Sequence, residues 1–232
     1  MGKKVAIVLA AGRGKRMQSD VAKQYLLIKG KPVLYYSLKA FEDSVVDDII
    51  LVTAENEITY CKEEIVEKYN FSKVSQIVAG GKERYHSVYN GLKACTDAEV
   101  VLIHDGARPF VNNEIIARNV AMVKEYGACV TGMPVKDTIK IADEAGFVQE
   151  TPKRDLIWAV QTPQTFQYHL IKEAYDTFLN NEETFCKQYS VTDDAMVAEI
   201  FGGHKVKLVE GSYNNVKITT PEDMALAETI LD

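Results

Sequence analysis

Residues Val5-Ala6-Ile7-Val8-Leu9-Ala10 are apolar without a break. A run with no polar alternation reads as a strand buried on both faces, which demands a sheet with helices packed on each side. The run ends in Ala11-Gly12-Arg13-Gly14-Lys15-Arg16-Met17. Gly12 and Gly14 let the backbone turn tightly and approach a ligand closely. Arg13, Lys15 and Arg16 lie within this turn, Lys23 follows shortly, and only Asp20 opposes them. A glycine loop with clustered cations behind a buried strand suits a polyphosphate, because backbone amides cradle the oxygens while fixed cations neutralise them. A dinucleotide fingerprint would need Gly or Ala where Met17 stands, and a Walker loop would end in Gly-Lys-Ser/Thr, which is absent. An ordinary strand-to-helix turn accounts poorly for two glycines and three cations within residues 12–16.

The same alternation continues downstream. Strands are expected near 4–10, 48–53, 74–79, 99–104 and 128–133, with amphipathic helices near 32–43, 57–69, 83–95 and 113–126. The pattern predicts an α/β, Rossmann-like fold: a mostly parallel twisted sheet with helices on both faces. Ligands of such sheets bind beyond the carboxyl ends of the strands. The Gly12 loop and His104-Asp105-Gly106-Ala107-Arg108-Pro109 both leave such ends, so they should face one cleft. After Pro134 the periodicity breaks, and the polar stretch 136–157 reads as a protruding β-arm or a plain surface loop. A short strand, Ile157-Trp158-Ala159-Val160, follows, then helices near 167–180, 193–201 and 221–231. The last has Thr220 as N-cap, Pro221 at the first helical position, and Glu222 and Asp223 in the first turn.

The 232 residues, 47% of them hydrophobic, supply ample core for one domain spanning 1–232. A net charge of −6 argues against nucleic acid or an anionic membrane as the main partner, and no apolar run approaches the length of a membrane span. The immediate entry into a strand leaves no room for a signal peptide. Four scattered cysteines without a CxxC pair fit reduced thiols and a cytoplasmic location.

Several residues carry candidate chemistry. Asp105 ends the apolar run Val100-Val101-Leu102-Ile103, where a carboxylate either holds Mg²⁺ against phosphate oxygens or caps the next turn. Arg108 reads as a brace for this loop, and His104 as a packing or backbone-bonding residue. Gly80-Gly81, at the entrance of a helix, suits close approach to a flat base whose edge Ser87 could bond; a plain turn reads equally well. Thr192-Asp193-Asp194 reads as an N-cap followed by two acids in a helix's first turn, with Thr192 also in reach of a ligand. Lys217, on a short strand within Asn215-Val216-Lys217-Ile218-Thr219-Thr220, is flanked by apolar residues and is expected to point into a cleft.

Together, Ala10–Met17, Lys23-Gln24-Tyr25, His104–Pro109, Gln161-Thr162-Pro163-Gln164, Thr192-Asp193-Asp194 and Asn215–Thr219 resemble the 2-C-methyl-D-erythritol 4-phosphate cytidylyltransferases, CTP-using enzymes of non-mevalonate isoprenoid synthesis. The resemblance runs in order from residue 5 to about 230. It implies a nucleotidyltransferase domain in which Ala10, Ala11, Gly12, Gly14 and Arg16 hold the CTP triphosphate and Lys23 contacts the α-phosphate. Gly81 and Ser87 would read cytosine. Asp105 would bind Mg²⁺ and lie near the ribose. Thr138 and Arg154 would hold the methylerythritol phosphate, with Thr192 beside them, and Lys217 would contact phosphates at the reacting centre. The resemblance also implies a homodimer in which the arm near 136–157 is exchanged, so that Arg154 serves the partner's site. Lys82, Ala22 and Gly106 depart from residues common in the family: an acid, a proline and an alanine.

The implied reaction is in-line attack of the acceptor phosphate on the α-phosphorus of CTP with loss of pyrophosphate. A phosphate nucleophile is already ionised, so positioning and charge neutralisation suffice. Alternatives are a cytidylyltransferase for another polyol phosphate, such as ribitol 5-phosphate, and a nucleotide-sensing protein without turnover. Ala10-Ala11-Gly12 and Gly106-Ala107 favour methylerythritol phosphate over ribitol phosphate.

Overall fold

The structure, a computed structural model, describes residues 2–12, 17 and 21–231. Arg13, Gly14, Lys15, Arg16 and Asp20 lie outside the described residues. The chain runs β1 (Lys3–Leu9), β2 (Leu27–Ile28), β3 (Lys31–Pro32), α1 (Val33–Glu42), β4 (Asp48–Thr53) and α2 (Ile58–Tyr60), which continues as π-helix over Cys61–Glu67. Then come β5 (Val74–Ala79), α3 (Arg84–Ala94), β6 (Ala98–Asp105), α4 (Asn113–Tyr126), β7 (Ala128–Pro134), β8 (Ile141–Ala142), β9 (Val148–Glu150) and β10 (Trp158–Gln167). The chain closes with α5 (Tyr168–Asn180), α6 (Glu182–Gln188), α7 (Asp194–Ile200), β11 (Lys207–Glu210) and α8 (Pro221–Ile230).

Seven strands form one sheet in the order β11-β7-β10-β6-β1-β4-β5. All neighbours are parallel except β10, which runs antiparallel between β6 and β7. Alternate residues of the central strands feed two different cores, as the period of two in a pleated strand requires. Ala6, Val8, Ile49, Leu51, Val100 and Leu102 pack with Leu34, Leu38 and Phe41 of α1 and with Ile115, Ile116 and Val120 of α4. Val5, Ile7, Ile50, Val52, Val101 and Ile103 pack with Val88 and Leu92 of α3 and with Ile171, Tyr175 and Phe178 of α5. This division is why the strands carry unbroken apolar runs, and it bears out the mostly parallel α/β sheet covered on both faces.

The sequence reading misplaces two elements and finds the arm. Ile157–Val160 is only the first part of β10, which continues through the polar Gln161-Thr162-Pro163-Gln164 after a shift in register against β7. Pro163, with no N–H to give to a ladder, is why that stretch does not read as strand. The segment around Lys217 is extended chain rather than a strand, and the edge strand is β11 instead. Residues 136–157 leave the sheet and fold back as the exposed β8–β9 hairpin.

Candidate active site

Leu9 of β1 and Asp105 of β6 pair directly in register, so the two following loops leave the sheet side by side. They open into a cleft of about 440 Å³ lined by Ala10, Ala11, Gly12, Lys23, Gly81, Ser87, Asp105 and Lys217, with Lys82 and Arg84. Eight of the residues singled out in the sequence thus share one cavity. A second cleft, of about 240 Å³, is lined by Arg108, Gln161, Gln164, Thr192 and Asp193. Arg84, Asp105 and Lys217 line both clefts and form the wall between them.

That wall is a row of alternating charges. Lys217 Nζ lies 2.6 Å from Asp105 Oδ2. Arg84 Nε lies 3.2 Å from Asp105 Oδ1, and its two terminal nitrogens reach Asp194 Oδ1 and Oδ2 at 2.9 and 2.8 Å. Burial disfavours the charged form of Asp105, yet Arg84 and Lys217 overcome it and hold the carboxyl well below the usual range. Arg84 is likewise desolvated, and its two carboxylate partners keep it firmly protonated. Arg84 did not emerge from the sequence as a site residue; its partners lie 21 and 110 positions away.

The cations reach this wall from three elements. Lys23 starts a short 3₁₀ turn, Lys23–Tyr25, and donates to the Ile218 carbonyl at 3.0 Å. Its neighbour Gln24 is buried and donates to the Ala10 carbonyl at 2.5 Å, tying the turn to the end of β1. Lys217 follows a loop clamped by β10. Gln161 donates to the Ser212 carbonyl at 2.8 Å and accepts from Asn215 Nδ2 at 3.1 Å, while Asn215 also donates to the Thr162 carbonyl at 2.9 Å. Arg108 braces the same loop by donating to the Asn215 carbonyl at 2.8 Å.

At the far side of the large cleft, Gly81 N–H donates to Ser87 Oγ at 3.0 Å, so the hydroxyl fixes the loop it faces. A Cβ on Gly80 would come within 2.5 Å of Ala11 Cβ, and one on Gly81 would collide with His86 Cβ. Only glycine lets this loop close against both the β1 loop and α3. Glu83 caps α3 together with His86. At the start of α7 the N-cap is Asp193, which accepts from Met196 N–H, rather than Thr192. Thr192 is exposed and lines the second cleft. Thr138 and Arg154 line neither cleft of their own chain; both are exposed on the arm, where Arg154 donates to the Lys136 carbonyl at 3.1 Å. Arg16 and Gly14 lie outside the described residues.

Behind Asp105, His104 is fully buried. Its Nε2 meets the Arg108 carbonyl at 3.2 Å and its Nδ1 meets Thr162 Oγ1 at 2.9 Å, while Asp105 N–H donates to that same Oγ1 at 3.1 Å. These partners assign a neutral ring that donates from Nε2 and accepts at Nδ1. Burial pushes its pKa down to about 3, from 6.5. The unfolded ring therefore takes up a proton in a range where the folded one does not. The stabilisation is complete above about pH 6.5 and declines as pH falls, by about 2 kcal/mol at pH 5. Thermal unfolding from pH 7 to pH 5 should show this loss, and His104→Gln should flatten the slope. Parallel curves would mean that His104 is not held neutral.

The family model for 2-C-methyl-D-erythritol 4-phosphate cytidylyltransferase matches residues 4–232. This chain belongs to that family. It is 50% identical over 231 residues to the Lachnoclostridium phytofermentans cytidylyltransferase, covering all of this chain and 97% of that one. With the Clostridium kluyveri enzyme it shares 53% identity over 226 residues, 97% of this chain and 95% of the relative. Among solved structures, the 4-diphosphocytidyl-2C-methyl-D-erythritol synthase of Anaerococcus prevotii superposes with a TM-score of 0.84 at 36% identity, covering 99% of this chain and 96% of that one.

Proposed function

We propose that the protein transfers CMP from CTP to 2-C-methyl-D-erythritol 4-phosphate, releasing pyrophosphate and 4-diphosphocytidyl-2-C-methyl-D-erythritol, in isoprenoid precursor synthesis. The family assignment supports the reaction, and one feature of the molecule supports it independently: two clefts share a wall of fixed charges, Arg84, Asp105 and Lys217. In an in-line displacement the two substrates meet where their phosphates meet. CTP would fill the larger cleft, with its base against Gly81 and Ser87 and its triphosphate along Ala10–Gly14, Arg16 and Lys23. The acceptor would fill the smaller one, beside Thr192 and Arg108. Arg108 lines that cleft and would add a positive charge beside the acceptor. No proton need be removed from a phosphate nucleophile, so Lys23 and Lys217 act by holding the phosphates and neutralising charge as it shifts to pyrophosphate.

Among the described residues, no three His, Cys, Asp or Glu side chains gather to ligate a metal. Asp105 alone fits Mg²⁺, in the manner of sites where one carboxylate is completed by substrate phosphates and water. Its Oδ2 would have to exchange Lys217, whose side chain is 37% exposed and able to move onto the triphosphate. The metal would supply Lewis-acid neutralisation of the phosphates.

The arm is the proposed dimerisation element of a single nucleotidyltransferase domain. Phe147, Val148 and Leu156 expose 72, 61 and 73% of their surface, an apolar cover that a second subunit would bury. Exchange would bring Thr138 and Arg154 to the partner's acceptor cleft. The buried thiols of Cys61, Cys95 and Cys129 accord with a cytoplasmic location. No helix among the described residues is long and apolar enough to cross a membrane.

Pyrophosphate release measured with CTP and either acceptor tests the whole reading. Methylerythritol phosphate should support turnover and ribitol 5-phosphate should not. Arg154→Ala should raise the methylerythritol phosphate KM or lower turnover, and leave the CTP KM nearly unchanged. Faster turnover with ribitol phosphate would move the enzyme to that acceptor, and CTP binding without turnover would make it a sensor.

A further inference from the structure

Asp193 accounts for the capping of α7, which leaves the second acid of the pair unexplained. Asp194 is fully buried. A fully buried acid is a poor way to gain stability, since its desolvation offsets most of what its partner returns. Its contacts lead to the reacting centre instead. Both oxygens accept from the forked end of Arg84, at 2.9 and 2.8 Å. The hydroxyl of Tyr175 donates to Oδ1 at 2.6 Å. Gln164 Oε1 accepts from the backbone N–H of Asp194 and of Ala195, each at 2.9 Å, and Gln164 Nε2 donates to Asp193 at 3.0 Å. Asp194 is therefore fixed through its backbone by β10 and through its side chain by α5.

A guanidinium is planar, so two nitrogens held on one carboxylate decide where the third points. Arg84 Nε points at Asp105 Oδ1, 3.2 Å away. We infer that Asp194 is a positioning residue for nucleotidyl transfer: acting through Arg84, it fixes the Asp105 carboxylate between the two clefts. The inference rests on the reaction proposed above. Without Asp194, Arg84 would keep its charge and lose its anchor. It would then turn its fork onto Asp105, drawing that carboxylate away from Lys217, or onto the phosphates of bound CTP. Ground-state binding of CTP would hold or improve, while the arrangement required in the transition state would be lost.

The test is a double-mutant cycle on the intact enzyme, read as initial rates of pyrophosphate release with CTP and methylerythritol phosphate. Asp194→Asn should lower kcat by about tenfold or more with a CTP KM that is unchanged or lower. Arg84→Lys, which keeps the charge and loses the fork, should do the same. The double variant should fall within about twofold of the worse single one, because both break the same link. Tyr175→Phe takes one hydrogen bond from Asp194 and leaves the ion pair. It should cost about threefold in kcat and also fail to multiply with Arg84→Lys, so it completes the cycle if Asp194→Asn does not fold. Losses that multiply, or an Asp194→Asn enzyme with a lower Tm and a kcat within twofold of wild type, would overturn the inference. A wild-type enzyme without turnover would remove the proposed reaction and this inference with it. An active wild type with multiplicative losses would remove the inference alone.

Discussion

Lys217→Ala should lower turnover by about 10²–10³-fold, the loss typical of removing one fixed cation from a site of developing charge. Lys217, like Arg84, lines both clefts, and its ammonium lies 2.6 Å from Asp105. In the proposed reaction it would follow charge from the α-phosphate to the leaving pyrophosphate. The fold should survive, because the loop that carries Lys217 is held by other groups. Gln161 and Arg108 bond its start, Ile218 N–H donates to the Ala107 carbonyl at 2.8 Å, and Ile218 is fully buried. The measurement is kcat at saturating CTP and acceptor, with a melting curve as control. A variant with more than about a tenth of wild-type turnover would show that Lys217 is a structural partner of Asp105 and not part of the reaction.

The architecture was legible wherever a strand is buried on both faces or a helix has strong ends. β4 and β5 fall on the expected residues because their runs stop at turn chemistry. α4 begins at the Asn112 cap and ends at Gly127, whose φ of 76° is left-handed. α8 carries the expected Thr220 cap, closed into a box by Asp223. What escaped has a weak signal for a physical reason. In β11 only Val209 is buried, so one residue carries the whole inward face of an edge strand. In α6 no residue is buried, and a helix without an apolar stripe has no period to detect. β10 is hidden by Pro163, although the sheet keeps it on both sides of that residue.

The site divides in the same way. Residues at the carboxyl ends of apolar strands, such as Asp105 and the Gly12 loop, announce themselves, since topology sends those ends to a ligand. Lys217 stands out because it interrupts an apolar stretch. Arg84 and Asp194 do not stand out. Each sits in the first turn of a helix, Asp194 where an acid is ordinary and Arg84 with no local partner to mark it, and only the packing of α3 and α7 on α5 makes them partners. The pairing of Gln161 with Asn215, and of Gln164 with Asp194, likewise explains why a polar strand interior accompanies distant polar motifs. The link is three-dimensional and has no local trace.

Asp105→Asn separates the two roles that one carboxylate could play. Asparagine keeps the shape, and the backbone bond to Thr162 does not depend on the side chain. What goes is one negative charge between Arg84 and Lys217. Because those two cations hold the acid well below the usual carboxylate range, Asp105 is ionised at every working pH. So placed, it is a poor general acid or base, and the pH profile of kcat near neutrality should have the same shape in the variant. Turnover should fall by about 10²-fold or more, since the cations lose the group that spaces them. If the carboxylate also holds Mg²⁺, the concentration needed for half-maximal rate should rise, because a neutral amide is a weaker ligand for a hard cation than an anionic oxygen. The two effects are read from one Mg²⁺ titration, as its ceiling and its midpoint. A lowered ceiling with an unchanged midpoint would assign Asp105 to charge spacing alone, with the metal held by phosphates. An unchanged ceiling with an unchanged midpoint would remove Asp105 from the reaction altogether and reduce it to the cap of the turn at Gly106.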